Sequence, residues 1–177
     1  ATLPWRTAAA SEPAWRPAPA FGPVAIEVAK VVTAFTVAHS ITLALAVLGL
    51  LNPPSRVVES IIAATVALAA IDNLLPFLPR QRWKLTFVFG LVHGFGFASA
   101  LQDLGLVREA LASSLLGFNL GVEIGQLSIV ALFMPLAWWS RGSAFYRRVV
   151  LVGGSLAIAA MALLWLAERS LDLKILG

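Results

Sequence analysis

The chain has 177 residues, 59% of them hydrophobic and only 12% charged, against roughly 25% charged in soluble domains, and its formal net charge is +4. This composition excludes an ordinary soluble domain and predicts an all-α fold, a polytopic membrane helix bundle with about five transmembrane helices. Cysteine is absent, which rules out disulfides and thiolate metal sites.

Residues 1–23, ATLPWRTAAASEPAWRPAPAFGP, are rich in Pro and Ala without apolar periodicity and read as a linker or loop, with Trp5 and Trp15 suited to a membrane surface. Five apolar stretches follow, each near the ~20 residues that cross a hydrocarbon core. They cover 24–51, closed by Asn52-Pro53-Pro54; 57–75, closed by Pro76 and Pro79; 85–101, short and glycine-rich; 111–139; and 149–167. The membrane domain is thus 24–170, and 171–177 form a carboxyl-terminal tail. With alternating spans, Arg6, Arg16, Lys30, Arg80, Arg82, Lys84, Arg141, Arg147 and Arg148 share one side, and Arg56, Arg108, Arg169 and Lys174 the other. The positive-inside rule then makes the amino-terminal segment cytoplasmic and the carboxyl terminus extracytoplasmic. The basic charge serves topology and contact with lipid headgroups, and no nucleic-acid signature accompanies it.

Four consecutive spans each carry a candidate ionisable residue: His39, Glu59, His93 and Glu123. Each costs about 2.5–3.5 kcal/mol at bilayer depth, so each is expected to face protein or water. On the fourth span Asn119, Glu123 and Gln126 make one polar stripe, at i, i+4 and i+7. Gly117, Gly121 and Gly125 make an opposite stripe, at a spacing that lets a neighbouring helix approach. Gly90 and Gly94 thin the third helix beside His93, and Thr36, His39 and Ser40 cluster on one side of the first. A short echo, Phe35 four before His39 and Phe89 four before His93, each followed on the next helix by Val-Glu, hints at a parallel duplication. By depth, His93 and Glu123 are the closer pair, because Glu59 lies about 8 Å nearer the outer surface than His39 at 1.5 Å per residue.

Imidazole and carboxylate together suit first-row divalent metals: nickel, zinc, cobalt, manganese or iron. The expected metal ligands are His39, His93, Glu123 and Glu59, with Asn73, Asn119, Gln126 and Ser40 supporting them through hydrogen bonds. The blander reading makes each histidine a helix-to-helix hydrogen bond, Glu59 a solvated end group, and the amides bridges between helices.

The segments TAFTVAHSITLALAVLG, VVESIIAATVALAAIDN, RWKLTFVFGLVHGFGFASAL and FNLGVEIGQL closely resemble the membrane region of the HupE/UreJ family, the hydrogenase and urease accessory membrane proteins, over about residues 31–130. The resemblance implies a bacterial inner-membrane protein associated with uptake of nickel or other divalent metals. It carries over His39, Glu59, Asn73, His93, Asn119 and Glu123 as the family's polar motif positions. Family members usually bear a further helix before the AHS helix, with a His and a Gly-x-Asp-His motif, which this sequence does not contain. The chain is therefore expected to be the carboxyl-terminal, five-helix part of a six-helix protein, with the upstream helix or domain as a further partner.

The functional expectation is binding of a divalent transition metal, nickel foremost, for uptake or delivery. Two readings of other classes stand beside it. One is an intramembrane metalloenzyme in which Glu123 is the base, although no His-Glu-x-x-His motif accompanies it. The other is a non-transporting accessory subunit whose polar residues only join helices.

Overall fold

The computed structural model describes residues 18–79, 81–97 and 108–173. They form five α-helices, with no strand among the described residues: α1 Phe21–Val47, α2 Ser55–Leu74, α3 Arg82–Gly96, α4 Arg108–Ser140 and α5 Gly154–Leu171. A π-helical segment, Tyr146–Gly153, runs directly into α5. Residues 1–17, the end of the third apolar stretch beyond Phe97, and 174–177 lie outside the described residues.

Four helical segments are long and apolar enough to cross a membrane: Phe21–Val47, Ser55–Leu74, Ser113–Ser140 and Tyr146–Leu171. Described α3 has 15 residues, short of a full crossing. The outward surface confirms what solvent these helices suit. Leu116, Leu120, Ile124, Leu127, Leu132 and Phe133 are all more than 45% exposed along one helix, a surface that would aggregate in water and is solvated by hydrocarbon. This is a multi-pass membrane protein.

The helix ends have local causes. α1 stops at Val47, short of the expected Leu51, because Gly49 takes φ +73. The N–H of Leu50 then reaches the Leu45 carbonyl (2.9 Å) and that of Gly49 the Ala46 carbonyl (3.0 Å), the paired closure of a Schellman motif. At the end of α2, Leu75 is driven into an extended conformation (φ −127, ψ 92) by Pro76 behind it.

The most extensive pairings are α1 with α3 and α2 with α5, while α4 rests on α1. Matching residues show α1 and α3 parallel, since Phe35 and Ala38 face Gly90 while His39, Thr42 and Leu43 face Gly94. α4 runs the other way against α1, with Gln126 meeting Thr36 and Phe118 meeting His39. Leu43 and Ala46 centre the apolar core, packed on by Phe95, Leu115 and Phe118.

Candidate functional site

The site begins with two glycines. A methyl group at Gly90 would lie 2.6 Å from the Phe35 carbonyl oxygen and 2.9 Å from the Ala38 β-carbon; one at Gly94 would overlap the Thr42 hydroxyl and the His39 carbonyl. Only hydrogen fits, so the α1 and α3 backbones come together there, at the small-residue spacing expected for membrane helices. The stripe on α4 behaves differently. Among the described residues, nothing lies within 4 Å of a methyl placed at Gly117, Gly121 or Gly125. The expectation of a close neighbour on that stripe is corrected: α4 turns its other side, with Gln126, toward α1.

The α1–α3 approach sets both histidines inside the bundle. His39 is 1% exposed, stacked between Phe35 (ring centroids 5.9 Å) and Phe118 (6.4 Å), with Phe97 edge-on at 5.7 Å. Neither of its ring nitrogens has a hydrogen-bond partner among the described residues. A buried polar group left in that condition costs about 1–3 kcal/mol, so the position is not explained by packing alone. His93 meets the same Phe35 ring edge-on at 5.3 Å. Phe35 therefore touches both imidazoles.

The partner the structure gives His93 is Thr65 on α2, with 3.0 Å between Oγ1 and Nε2. Thr65 also sends its hydroxyl to the Ile62 carbonyl (2.7 Å). A threonine hydroxyl has one proton and two lone pairs. A hydroxyl proton directed to Ile62 leaves the oxygen to accept from His93 Nε2–H, with the lone pair on Nδ1; a proton directed to His93 reverses the two roles. Such contacts are how supporting residues commonly fix the tautomer of a ligating histidine.

The other expected residues fall in different places. Gln126 accepts a hydrogen bond from Thr36 (3.2 Å), one turn from His39. Glu123 is half-buried on the same stripe of α4, between Asn119 and Gln126. Asn119 donates to Leu115 (3.0 Å) and Ser40 to Thr36 (2.7 Å), each to a backbone carbonyl of its own helix. Asn73 is exposed near the end of α2. Glu59 lies at the opposite end of α2, where it pairs with Arg169 of α5 (2.8 Å). Nearby, Arg56 donates to the carbonyls of Arg169 (2.8 Å) and Ser170 (2.7 Å), fastening the last turn of α5. Among the described residues, no group of three or more His, Cys, Asp or Glu side chains is disposed to hold a metal ion.

Sequence reasoning overlooked Thr65, the rings of Phe97 and Phe118 around His39, and Asp72. Asp72 is fully buried; its carboxylate accepts from the backbone N–H groups of Phe77 (2.8 Å) and Leu78 (2.6 Å) and pairs with Arg82. It thus locks the turn between α2 and α3 and sets how α3 enters the bundle. The signal for it was present, an acid in the last turn of a helix followed by Pro76, with unpaired loop N–H groups ahead of it. Nothing local distinguishes Thr65, whose role depends on α3 lying against it.

Aromatic and basic groups mark one end of the bundle. Phe21 at the start of α1 meets Trp138 near the end of α4 edge-on at 5.3 Å, and the Arg141 guanidinium lies 3.6 Å over the same indole. Such amphipathic rings and snorkelling cations belong at a membrane interface.

Comparison with curated proteins and with solved structures finds no match. The family described as "HupE / UreJ protein" matches residues 21–169, from the first residue of α1 almost to the end of α5. With both histidines and all five helices but the last two residues of α5 inside that range, the chain belongs to the HupE/UreJ family.

Proposed function

We propose that this protein carries a divalent transition-metal cation across the bacterial inner membrane for uptake or delivery. Nickel is the foremost cargo, given the family's association with hydrogenase and urease, with zinc, cobalt, manganese or iron as alternates. The observation that carries the reading is His39. It is an imidazole sealed among three phenylalanines inside a membrane helix, with both ring nitrogens unpartnered among the described residues, and one aromatic ring away from a second imidazole. Imidazole nitrogen is a favoured donor to these metals.

Two histidines, with neutral oxygens of Thr65, Thr36 and Gln126 close by, form a sparse donor set. A structural metal takes about four protein ligands. A cation that must leave again is better served by fewer, and Glu123 on the facing stripe supplies negative charge to offset part of its own. Because the imidazoles must be neutral to bind, protons compete with the metal and transport weakens in acid. The nine-to-four division of Lys and Arg supports a cytoplasmic amino-terminal segment and an outward carboxyl terminus.

The test is calorimetric titration of the purified full chain with nickel and with zinc, in parallel with His39→Ala, His93→Ala, Glu123→Gln and Glu59→Gln. Each histidine variant is expected to lose at least about tenfold in affinity, or roughly 1.4 kcal/mol. Glu123→Gln weakens binding through the lost charge. Glu59→Gln changes it least, since Glu59 is engaged with Arg169 in a half-exposed pair of the kind that contributes about 0.2–1 kcal/mol. Undiminished affinity in both histidine variants would overturn the proposal.

A further inference from the structure

His39 is sealed by three phenylalanine rings that are not equally fixed. Phe35 belongs to α1 itself, and its backbone carbonyl lies where α1 and α3 come together at Gly90. Phe97 ends α3 three residues after Gly94, the second point of close approach between the same two helices. Phe118 comes from α4; its ring is stacked on the imidazole at 6.4 Å and tilted against Phe97 at 5.5 Å.

α4 is held more lightly than α3. It packs chiefly on α1, and less extensively than α3 does. Among the described residues, a methyl placed at Gly117, Gly121 or Gly125 meets nothing within 4 Å, so that side of α4 is not backed by a helix. At one end of α4, Phe21 meets Trp138 edge-on and the Arg141 guanidinium covers the same indole. At mid-helix Gln126 accepts a hydrogen bond of 3.2 Å from Thr36. Between these two ties, one turn before Trp138, stands Pro135. Its nitrogen has no proton to give the Ala131 carbonyl, and helices bend where that bond is missing. From Pro135 back to Phe118 is about 25 Å at 1.5 Å per residue, so a bend of about 10° carries the Phe118 ring about 4 Å.

We infer that α4 is a gate hinged at Pro135, whose Phe118 ring covers His39 when closed and uncovers it when residues 113–131 swing away from α1. The latch is a neutral hydrogen bond between Thr36 and Gln126, of a kind that contributes little in a membrane bundle. The apolar surface that α4 gives up on α1 is taken over by lipid tails, which are as apolar as leucine. The α1–α3 pair stays in place, because its backbones already touch at Gly90 and Gly94. This inference rests on the transport reading for its purpose, since a cation reaches the buried His39 only past one of the rings, but the movement itself is measured without metal.

His39 and His93 are the only two histidines of the chain, so diethyl pyrocarbonate, which acylates neutral imidazole, reports on both, and peptide mass spectrometry separates the sites. The full chain in lipid nanodiscs is treated with the reagent in the presence of chelator. Thr36→Cys with Gln126→Cys, bridged by a short bis-thiosulfonate, ties α4 to α1, and the chain has no cysteine of its own to interfere. Bridging is expected to slow acylation of His39 at least about tenfold relative to the same protein after reduction, with His93 unchanged, because the rate follows the population of the open state. Phe118→Ala should speed His39 at least about tenfold and again leave His93 alone, whereas a general loosening raises both. Pro135→Ala restores a donor to the Ala131 carbonyl and should slow His39 in the unbridged chain. A His39 rate indifferent to the bridge overturns the gate, even where Phe118→Ala does not fold; a rate unchanged by Pro135→Ala overturns the hinge. Failed nickel and zinc titrations would remove the cargo and leave these rates to decide the gate.

Discussion

The Thr65 hydroxyl oxygen lies 3.0 Å from Nε2 of His93 and 2.7 Å from the Ile62 carbonyl. A single side chain on α2 therefore holds one ring nitrogen of a histidine on α3 and leaves the other open. Thr65→Val keeps the volume and removes the hydrogen-bond partner. Metal affinity is expected to fall by about tenfold to a hundredfold, the usual effect of losing a group that orients a ligand. Thr65→Ser, which retains the oxygen, should recover most of it. Equal binding by the Val and Ser variants in calorimetry would show that the hydrogen bond does not orient the ring.

Two glycine stripes with the same spacing meet opposite surroundings, and substitution should separate them. Gly94→Ala forces a methyl group onto the Thr42 hydroxyl and the α1 backbone, which cannot yield without moving a helix. Overpacking of this kind costs about 1–3 kcal/mol or more. Gly121→Leu points into open space and should leave the thermal unfolding midpoint in detergent unchanged. A lowered midpoint for Gly121→Leu together with a normal one for Gly94→Ala would reverse the assignment of the two faces.

Asp72 is a buried carboxylate that ties two backbone N–H groups and Arg82 to one turn. Removing one member of such an arrangement strands the others, and Asp72→Ala should destabilise the bundle by roughly 3 kcal/mol. Asp72→Asn keeps an acceptor for the backbone groups while losing the charge, and should fall between. Limited proteolysis within 75–81 is the direct readout, because the turn loses its anchor before the helices separate. Wild-type resistance in Asp72→Ala would remove the anchoring role.

How much of this was legible beforehand follows from what each feature depends on. Hydropathy is local: a stretch such as GSLAIAAMALLWLAERSL declares its solvent by composition alone, and bilayer thickness supplies the length. The multi-pass helical architecture, the presence of His39, Glu59, His93 and Glu123 within or beside the spans, and the thin place at Gly90 and Gly94 all come from that level. The helix ends were less accessible. Gly49 turns α1 off four residues before Leu51 through hydrogen bonds that hydropathy does not register.

How each helix is rotated against its neighbours was settled by packing. Lipid tails are as apolar as leucine, so burial in a membrane bundle leaves little trace in the pattern of apolar residues. Glycines 90 and 94 and glycines 117, 121 and 125 look alike in sequence; one set meets a backbone and the other open space because α1 lies on α3 and on the opposite side of α4. The same rotation brings Thr65 to His93 and Arg169 to Glu59, and sets Phe35 against both histidines. Hydropathy and spacing were enough to say which polar groups enter the membrane. Which of them meet was settled by helix packing, since close van der Waals fit and interhelical hydrogen bonds, rather than hydrophobicity, hold helices together in lipid.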